Sequence, residues 1–188
     1  MKEQSAGQEA FNPYAPPKAA LADAAAPGVQ PVFFPVSLPK LALMSLATLG
    51  FYEIYWFYKN WKCMQENFGH KINAPIRALF FPLVSYPLFR QIRDHAAGAR
   101  LESRLQAGLL AFAVFIIAVL YRLPDPWWLV SLLGFLPLLP VQSAVNDINA
   151  KLAPGADGNG RFSGWNIAGI AAGGIVLALA IIGMLVPE

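Results

Sequence analysis

The feature that most constrains the fold is a C-terminal stretch without a single charged residue. It runs for 26 residues, from Phe162 to Pro187. A helix needs about 20 mainly apolar residues to cross the roughly 30 Å hydrocarbon core of a bilayer. Two shorter uncharged stretches precede it, at residues 105–121 and 126–146. The sequence therefore predicts an all-α, multi-pass membrane protein.

Composition supports the same class of protein. The chain of 188 residues is 56% hydrophobic and 13% charged, whereas water-soluble domains carry about 25% charged residues. Such a chain is too apolar to be disordered throughout, and its shortage of charge argues against a soluble globular enzyme. The single cysteine, Cys63, allows neither an internal disulfide framework nor a cysteine-based metal cluster.

Five hydrophobic segments follow the N-terminal tail. They lie at about residues 41–58, 78–89, 105–121, 126–146 and 164–186. The second segment holds 12 uncharged residues, which as a helix cover only about 18 Å, too little to cross a bilayer. We therefore predict a polytopic helical bundle with about four spanning helices plus short interfacial or re-entrant helices.

The segment at 41–58 has two interpretations, which leave the tail on different sides of the membrane. As a full span it carries the tail outside, and as a re-entrant hairpin bent at residues 48–50 it keeps the tail inside. Seven of the residues 51–61 are aromatic, and aromatic rings with polar tips are enriched at membrane interfaces. This end of the segment is therefore predicted to lie near the lipid headgroups.

Residues 1–35 differ in composition from the rest of the chain. They contain nine alanines and six prolines, and closely spaced prolines prevent a continuous helix. The first thirty residues also lack the apolar run of a cleavable signal peptide. We predict a disordered tail over 1–35 and a membrane helical domain over 36–188. A short peptide ligand for a partner, within the tail, is the alternative.

Positive charge is concentrated between residues 59 and 104, which hold eight of the fourteen Lys and Arg residues. Such clusters face the cytoplasm. Within this region Trp61, Met64, Phe68 and Ile72 recur at helical spacing, which predicts a helix on the membrane surface. We expect a basic cytoplasmic face that contacts the bilayer and its anionic lipids. The expected protein partner is a second copy or another membrane protein, and the chain lacks the long basic run that tracks nucleic acid.

Glu53 is the only acidic or basic residue within the four long segments. Charge inside a membrane is costly and often functional. Close to the headgroups, Glu53 is expected to pair with an arginine such as Arg77 or Arg90. The alternative is a role in transport or proton transfer.

Polar side chains cluster at the end of the 126–146 segment. Gln142, Asn146 and Asn149 are spaced four and three residues apart and therefore share one helical face, with Asp147 next to them. Their amides are expected to bond a neighbouring helix. The alternative is that they line a water-filled cavity.

Small residues mark the last segment. Gly169 and Gly173 form a small-xxx-small pattern, which favours close packing against another helix, either within the monomer or in a dimer.

Three short stretches resemble a known group of proteins. They are Asn12-Pro13-Tyr14-Ala15-Pro16-Pro17, Tyr55-Trp56-Phe57-Tyr58-Lys59-Asn60-Trp61 and Pro75-Ile76-Arg77-Ala78-Leu79-Phe80-Phe81. The aromatic motif followed by the Pro-x-x-Arg stretch is similar to a family of uncharacterised bacterial multi-pass inner-membrane proteins. The resemblance is strongest over residues 45–95. It implies a bacterial inner-membrane location and brings no catalytic residues.

No motif for catalysis stands out. The sequence contains no Gly-x-Ser-x-Gly, phosphate-loop or His-Glu-x-x-His pattern, and its two histidines have no second ligand at metal spacing. We therefore predict a non-enzymatic integral membrane protein without cofactor or metal, which serves as a scaffold, assembly or regulatory component. The alternative is a small oligomeric transporter or channel that uses Glu53 and the polar face around Asp147.

Overall fold

The computed structural model describes residues 29–102 and 105–185. The described chain is helical and contains no β-strand, which confirms the prediction of an all-α fold. Its α-helices, in chain order, are α1 (Leu38–Ala47), α2 (Phe51–Phe68), α3 (Ala74–Leu79), α4 (Phe81–Gly98), α5 (Ala107–Leu120), α6 (Leu138–Leu152) and α7 (Gly164–Leu185). A 3-10 helix over Trp127–Phe135 precedes α6.

Two helical stretches are long and apolar enough to cross a membrane. They are Trp127–Leu152, of 26 residues, which joins the 3-10 helix to α6, and Gly164–Met184, of 21 residues, within α7. The prediction of about four spans is not supported, because α1 and α5 are shorter apolar helices of 10 and 14 residues. Helices of these lengths cover about 15 and 21 Å, less than the hydrocarbon core.

α7 lies on the outside of the bundle. It packs mainly against α1, and none of its residues from Gly164 to Met184 is buried. Large apolar side chains are exposed along it, among them Ile167, Ile175, Val176, Leu179 and Ile182. A core helix of a water-soluble domain would have a buried face, which α7 lacks, and so extensive an apolar surface is typical of contact with lipid or another protein.

α1 and α2 form a hairpin that breaks at Leu49 and Gly50. These two residues have φ values of 54° and 86°, in the left-handed region, and a right-handed helix does not continue through them. Lys40 of α1 and Tyr55 of α2 line the same cavity, although a continuous helix would separate them by about 22 Å. The chain therefore reverses direction, as in the hairpin interpretation of this segment.

The first half of α2 contributes to an aromatic core. Trp56 and Phe57 are fully buried, and the ring of Phe57 stacks on Phe89 of α4 at 5.9 Å between centroids. Tyr52 and Trp61 are also buried. Four of the seven aromatic side chains expected near the headgroups are thus core residues, because this face of α2 packs against α4.

The stripe along the second half of α2 also faces inward. Trp61 and Met64 are 2% and 1% exposed, and the ring of Phe68 lies 4.4 Å from that of His95 on α4. The prediction that this stripe lies on the membrane surface is therefore wrong for Trp61 and Met64, whereas Phe68 remains 36% exposed. The helical spacing is as predicted, but α3 and α4 cover the apolar face instead of lipid.

The 78–89 segment is shared between α3 and α4, and the chain kinks at Val84, between Pro82 and Pro87. Asn73 caps α3 by accepting a hydrogen bond from the N–H of Ile76 at 3.1 Å. Apolar side chains of both helices remain exposed, namely Ile76, Leu79, Phe80, Leu83 and Tyr86. Such an apolar face on short helices is typical of an interfacial element.

α5 and the Trp127–Leu152 stretch form a helical hairpin across residues 121–126. α5 packs against the 3-10 helix. The connection is held by the ring of Tyr121 against Trp128 at 6.4 Å, and by a hydrogen bond of 2.7 Å from Trp128 Nε1 to Asp125 Oδ1. α4 packs against both α5 and α6 and completes the bundle.

Candidate functional site

Residues 31–36, which we call the strap, lie inside the protein before α1 begins and adopt neither helix nor strand. The carbonyl oxygens of all six strap residues accept hydrogen bonds from side-chain amides, at 2.9 to 3.3 Å. The donors are Asn67 to Pro31 and Val32, Asn149 to Phe33, Gln142 to Phe34, Asn159 to Pro35, and Asn146 to Val36.

Three N–H groups of the strap are bonded in the same way. Asn149 Oδ1 accepts from Val32 and Phe33 at 2.9 and 3.1 Å, and Asn60 Oδ1 accepts from Phe34 at 3.2 Å. The two prolines of the strap have no N–H to satisfy. A buried backbone group without a partner costs about 1–3 kcal/mol, so these amides allow an irregular segment to lie in the interior.

The strap also supplies apolar side chains to the core. Phe33 and Val36 are fully buried and Phe34 is nearly so. The ring of Phe33 lies edge-on to His95 at 5.4 Å. The end of the predicted disordered tail therefore belongs to the folded domain, whereas residues 1–28 of that tail lie outside the described part of the chain.

The amides that hold the strap are linked to one another. Trp56 Nε1 donates to Gln142 Oε1, and Gln142 Nε2 donates to Asn146 Oδ1 at 2.8 Å. Asn60 Nδ2 donates to the carbonyl oxygen of Trp56 at 3.0 Å. These bonds fix which way the amides of Gln142, Asn146 and Asn60 face, so these three act together rather than as independent contacts.

Three members of the amide network are the predicted face of α6, namely Gln142, Asn146 and Asn149. Gln142 makes the expected contact with a neighbouring helix, through Trp56. The main partner of the three amides is nevertheless the strap backbone. The sequence did not predict this role, because residues 31–35 of the strap had been assigned to the disordered tail.

The remaining amides of the network were not predicted. Asn60 and Asn67 lie seven residues apart on α2 and so share a helical face, which is a signal that could have identified them. Asn159 lies in the connection between α6 and α7. No helical spacing could reveal it.

Asp147 lies away from the amide network. It is exposed and lines a cavity of about 530 Å³ between α4, α5 and α6, together with Glu102, Gln106 and Ser143. It therefore lies on the same helix as Gln142, Asn146 and Asn149, but it does not share their bonds to the strap.

Glu53 lies in the first turn of α2 and is 5% exposed. Its carboxyl group sits beside Gly134 of the 3-10 helix, where a Cβ atom would come within 2.8 Å of Oε2 and 2.9 Å of Oε1. Because Gly134 has no side chain, the carboxyl group of Glu53 fits into the space beside it. Oε1 has no hydrogen-bond partner among the described residues, and neither does the buried hydroxyl of Ser45 on α1.

The predicted arginine partners of Glu53 lie elsewhere. The guanidinium of Arg77 lies 4.6 Å from the ring centroid of Trp61, and Arg90 Nε pairs with Asp94 Oδ2 at 3.6 Å. Within the described residues no ion pair reaches Glu53. The prediction of an arginine-paired glutamate is therefore wrong, because the break before α2 turns Glu53 toward a 3-10 helix whose sequence carries no charge.

Lys40 is a buried charge that sequence reasoning missed. It lies on the apolar helix α1 and is 2% exposed. Its Nζ donates to the carbonyl oxygens of Arg161 and Asn159 at 2.6 and 3.2 Å and to Asn159 Oδ1 at 2.8 Å. All three ammonium donors are thereby used, and they hold the connection before α7 against the start of α1.

α7 crosses α1 at Gly173. A Cβ atom there would overlap the carbonyl oxygen of Ala47, whereas one at Gly169 would lie 3.9 Å from the side chains of Met44 and Thr48. Gly173 therefore sets the closest approach of the two helices, and Gly169 makes an ordinary contact. The helix that meets both glycines is α1 of the same chain.

Comparison with known proteins finds no matching family model, no similar curated protein and no similar solved structure. Among residues 29–102 and 105–185, no group of three or more His, Cys, Asp or Glu side chains could hold a metal ion.

Proposed function

We propose that the protein is a non-enzymatic, multi-pass protein of a bacterial inner membrane. In this proposal it serves as a scaffold, assembly or regulatory component and acts through the surface of residues 59–104. The exposed apolar length of α7 supports its place in a bilayer. The concentration of Lys and Arg in 59–104 supports a cytoplasmic position for that surface.

The number of crossings follows from how the helices connect. If Trp127–Leu152 crosses the bilayer, the chain must first reach its far end, and α5 is the element that leads there. α5 covers about 21 Å as a helix, and its uncharged flanks extend the apolar stretch to residues 105–121. We therefore infer three crossings, by α5, Trp127–Leu152 and α7, with the α1–α2 hairpin as a re-entrant element.

The observation that carries the proposal is the surface formed by α3 and the start of α4. Five apolar side chains are exposed there, and cations surround them in the sequence. Lys71, Arg90 and Arg100 are exposed. Apolar side chains bordered by cations suit the boundary between acyl chains and anionic headgroups, where each cation contributes about 1 kcal/mol.

Acidic side chains offset only part of this charge. Asp94 contacts both Arg90 and Arg93, at 3.6 and 2.9 Å, and its hydrogen bond with Arg93 lowers the pKa of Asp94. Lys62 pairs with Glu66 at 3.5 Å. One carboxylate shared by two arginines leaves a net positive surface for lipid or for an acidic partner.

The start of the strap lies beside the same surface. Asn67, near the end of α2, bonds the carbonyl groups of Pro31 and Val32. Pro31 therefore lies close to the end of α2, which Lys71 follows by three residues. A partner that binds the basic surface on this side would also lie near the start of the strap.

The proposal is tested by purifying the full chain in lipid nanodiscs cut directly from the membrane, and identifying bound lipids and proteins by mass spectrometry. We expect enrichment of anionic lipid, lost on replacing Lys71, Arg90 and Arg100 together by Glu. Three charges at about 1 kcal/mol each correspond to a change of more than about tenfold. Arg122→Glu, at the opposite end of α5, is the matched control and should retain the lipid. A preparation with neither enriched lipid nor a partner protein would contradict the proposal.

A small oligomeric transporter or channel is the second candidate. The observation that favours it is the burial of Glu53, whose Oε1 has no hydrogen-bond partner among the described residues, since buried charges often mark ion pathways in membranes. The amide face of α6 no longer supports it, because the strap occupies that face. Flux through proteoliposomes, compared between the natural chain and Glu53→Gln, tests this candidate.

A further inference from the structure

Glu53 lies where two irregular helical elements meet. On one side the α1–α2 hairpin breaks at Leu49 and Gly50. On the other side the chain winds as a 3-10 helix that contains Gly134. In membrane transporters, broken helices of this kind place backbone carbonyls and helix ends around small cations near the midplane of the bilayer.

The depth of this junction follows from α7. Gly173 meets the backbone of Ala47 and Thr48, just before the break. Gly173 is nine residues beyond Gly164, or about 14 Å along the helix axis, and all of α7 covers about 33 Å. The break therefore lies near half the length of α7, and Glu53 follows it within one helical turn.

Among the described residues, no charged side chain beside Glu53 balances a carboxylate. The 3-10 helix Trp127–Phe135 contains no ionisable residue, and Lys40 is the only one in α1. The ammonium of Lys40 is already bonded to Asn159 and Arg161. On α2 the nearest ionisable groups are the phenols of Tyr52 and Tyr55. An ionised Glu53 would thus be a buried charge without compensation, which is costly.

Two buried side-chain oxygens on α1 and α2 lack a hydrogen bond. Glu53 Oε1 and the hydroxyl of Ser45 have no hydrogen-bond partner among the described residues. Ser45 is fully buried and lies on α1 one turn before the break, on a helix that packs against the 3-10 helix. Buried polar atoms are nearly always paired, so these two point to a ligand or a proton.

We propose that Glu53 is a binding site for a small monovalent cation, either a proton or a sodium ion, at the junction of the α1–α2 hairpin and the 3-10 helix. The cation supplies the positive charge that no neighbouring residue supplies. This inference stands apart from the scaffold role, since a cation bound at Glu53 does not require transport.

The test uses the full chain in nanodiscs and dicyclohexylcarbodiimide, an apolar reagent that adds to protonated carboxyl groups and leaves a stable N-acylurea. We expect an adduct that peptide mass spectrometry locates on Glu53, that decreases as pH rises, and that is lost in Glu53→Gln. If Na⁺, exchanged for choline at constant pH, also slows the labelling, the cation is sodium. If only pH changes the rate, the cation is a proton.

Mapping the adduct on the natural chain keeps the test valid even if Glu53→Gln does not fold. Asp147→Asn is the matched control, because Asp147 is exposed and its loss should leave the labelling unchanged. The proposal is overturned by absence of an adduct on Glu53 at every pH, or by labelling that neither pH nor Na⁺ affects. It is also overturned if a water-soluble carbodiimide labels Glu53 as fast as it labels Asp147.

Discussion

Asn149 makes more bonds to the strap than any other amide of the network: its Oδ1 accepts from two N–H groups and its Nδ2 donates to the carbonyl of Phe33. Leucine has a similar volume but can make none of these bonds. Because each orphaned backbone group costs about 1–3 kcal/mol, Asn149→Leu should lower the free energy of unfolding by about 3 kcal/mol or more. Equilibrium unfolding in mixed micelles measures it.

Asn67→Ala is the matched control for Asn149→Leu. Asn67 bonds the same strap, but its hydrogen bonds are exposed to solvent, so water replaces the lost amide and the cost should stay below about 1 kcal/mol. Equal losses for the two variants would show that burial of the strap backbone does not depend on the α6 amides.

Gly134 and Glu53 should be energetically coupled, because the carboxyl group occupies the space of the absent Cβ. Gly134→Ala is expected to cost about 1–3 kcal/mol as overpacking. In combination with Glu53→Ala the added methyl group meets no carboxyl group, so the double variant should be at least about 1 kcal/mol more stable than the sum of the single effects predicts. Gly98→Ala, with open space around it, is the control. Strict additivity would argue against the contact.

At the residue scale, the sequence could identify polar side chains but not their partners. The spacing of Gln142, Asn146 and Asn149 predicts one helical face, because helix geometry depends only on local sequence. What that face bonds depends on residues more than 100 positions away, in a segment whose prolines look like those of a disordered tail. The contact between Glu53 and Gly134 was equally unpredictable, because a glycine has no side chain that would mark it as the neighbour of a carboxyl group.

At the scale of elements, the contact between α7 and α1 depends on one glycine. Gly173→Leu would drive its side chain into the backbone of Ala47, so we expect α7 to separate from α1 and the unfolding free energy to fall by more than about 2 kcal/mol. Gly174→Leu is a close control, because a Cβ there meets nothing within 4 Å.

That prediction fails if Gly173→Leu and Gly174→Leu lower the free energy of unfolding by the same amount. In that case α7 would not be held at its crossing with α1. Its association would have to depend on Lys40 and the connection before Gly164.

Helices were predictable where they depend on local sequence. They were less predictable where tertiary packing decides how the chain bends and which face is covered. α7 matches the longest uncharged stretch nearly residue for residue. The 41–58 stretch is as apolar as a span in its first half, but left-handed backbone at Leu49 and Gly50 divides it. The aromatic stripe of α2 has the spacing of a surface helix, yet α3 and α4 cover it, because amphipathic periodicity does not distinguish lipid from protein as the apolar partner.

For the whole molecule, the strap determines how the membrane domain connects to its N-terminal tail. The amides of α2, α6 and the 153–163 connection hold the strap beside the end of α2. Because α1 and α2 form a hairpin rather than a span, Val29 and Lys71 should lie on the same side of the membrane. α5 then leads away from that side, so Arg122 should lie on the other.

Cysteine labelling of intact cells and of inverted vesicles checks this arrangement. In a chain with Cys63 replaced by Ser, single cysteines at Val29, Lys71 and Arg122 are treated with a membrane-impermeant maleimide. We expect the first two to react only from the cytoplasmic side and the third only from outside. If Val29 reacts together with Arg122, the α1–α2 unit crosses the membrane as a full span, and the amide contacts of the strap cannot form as described. The three positions thus distinguish the hairpin from the span without a measurement of stability. The strap and the end of α2 can be bonded only when both lie on the same side of the bilayer.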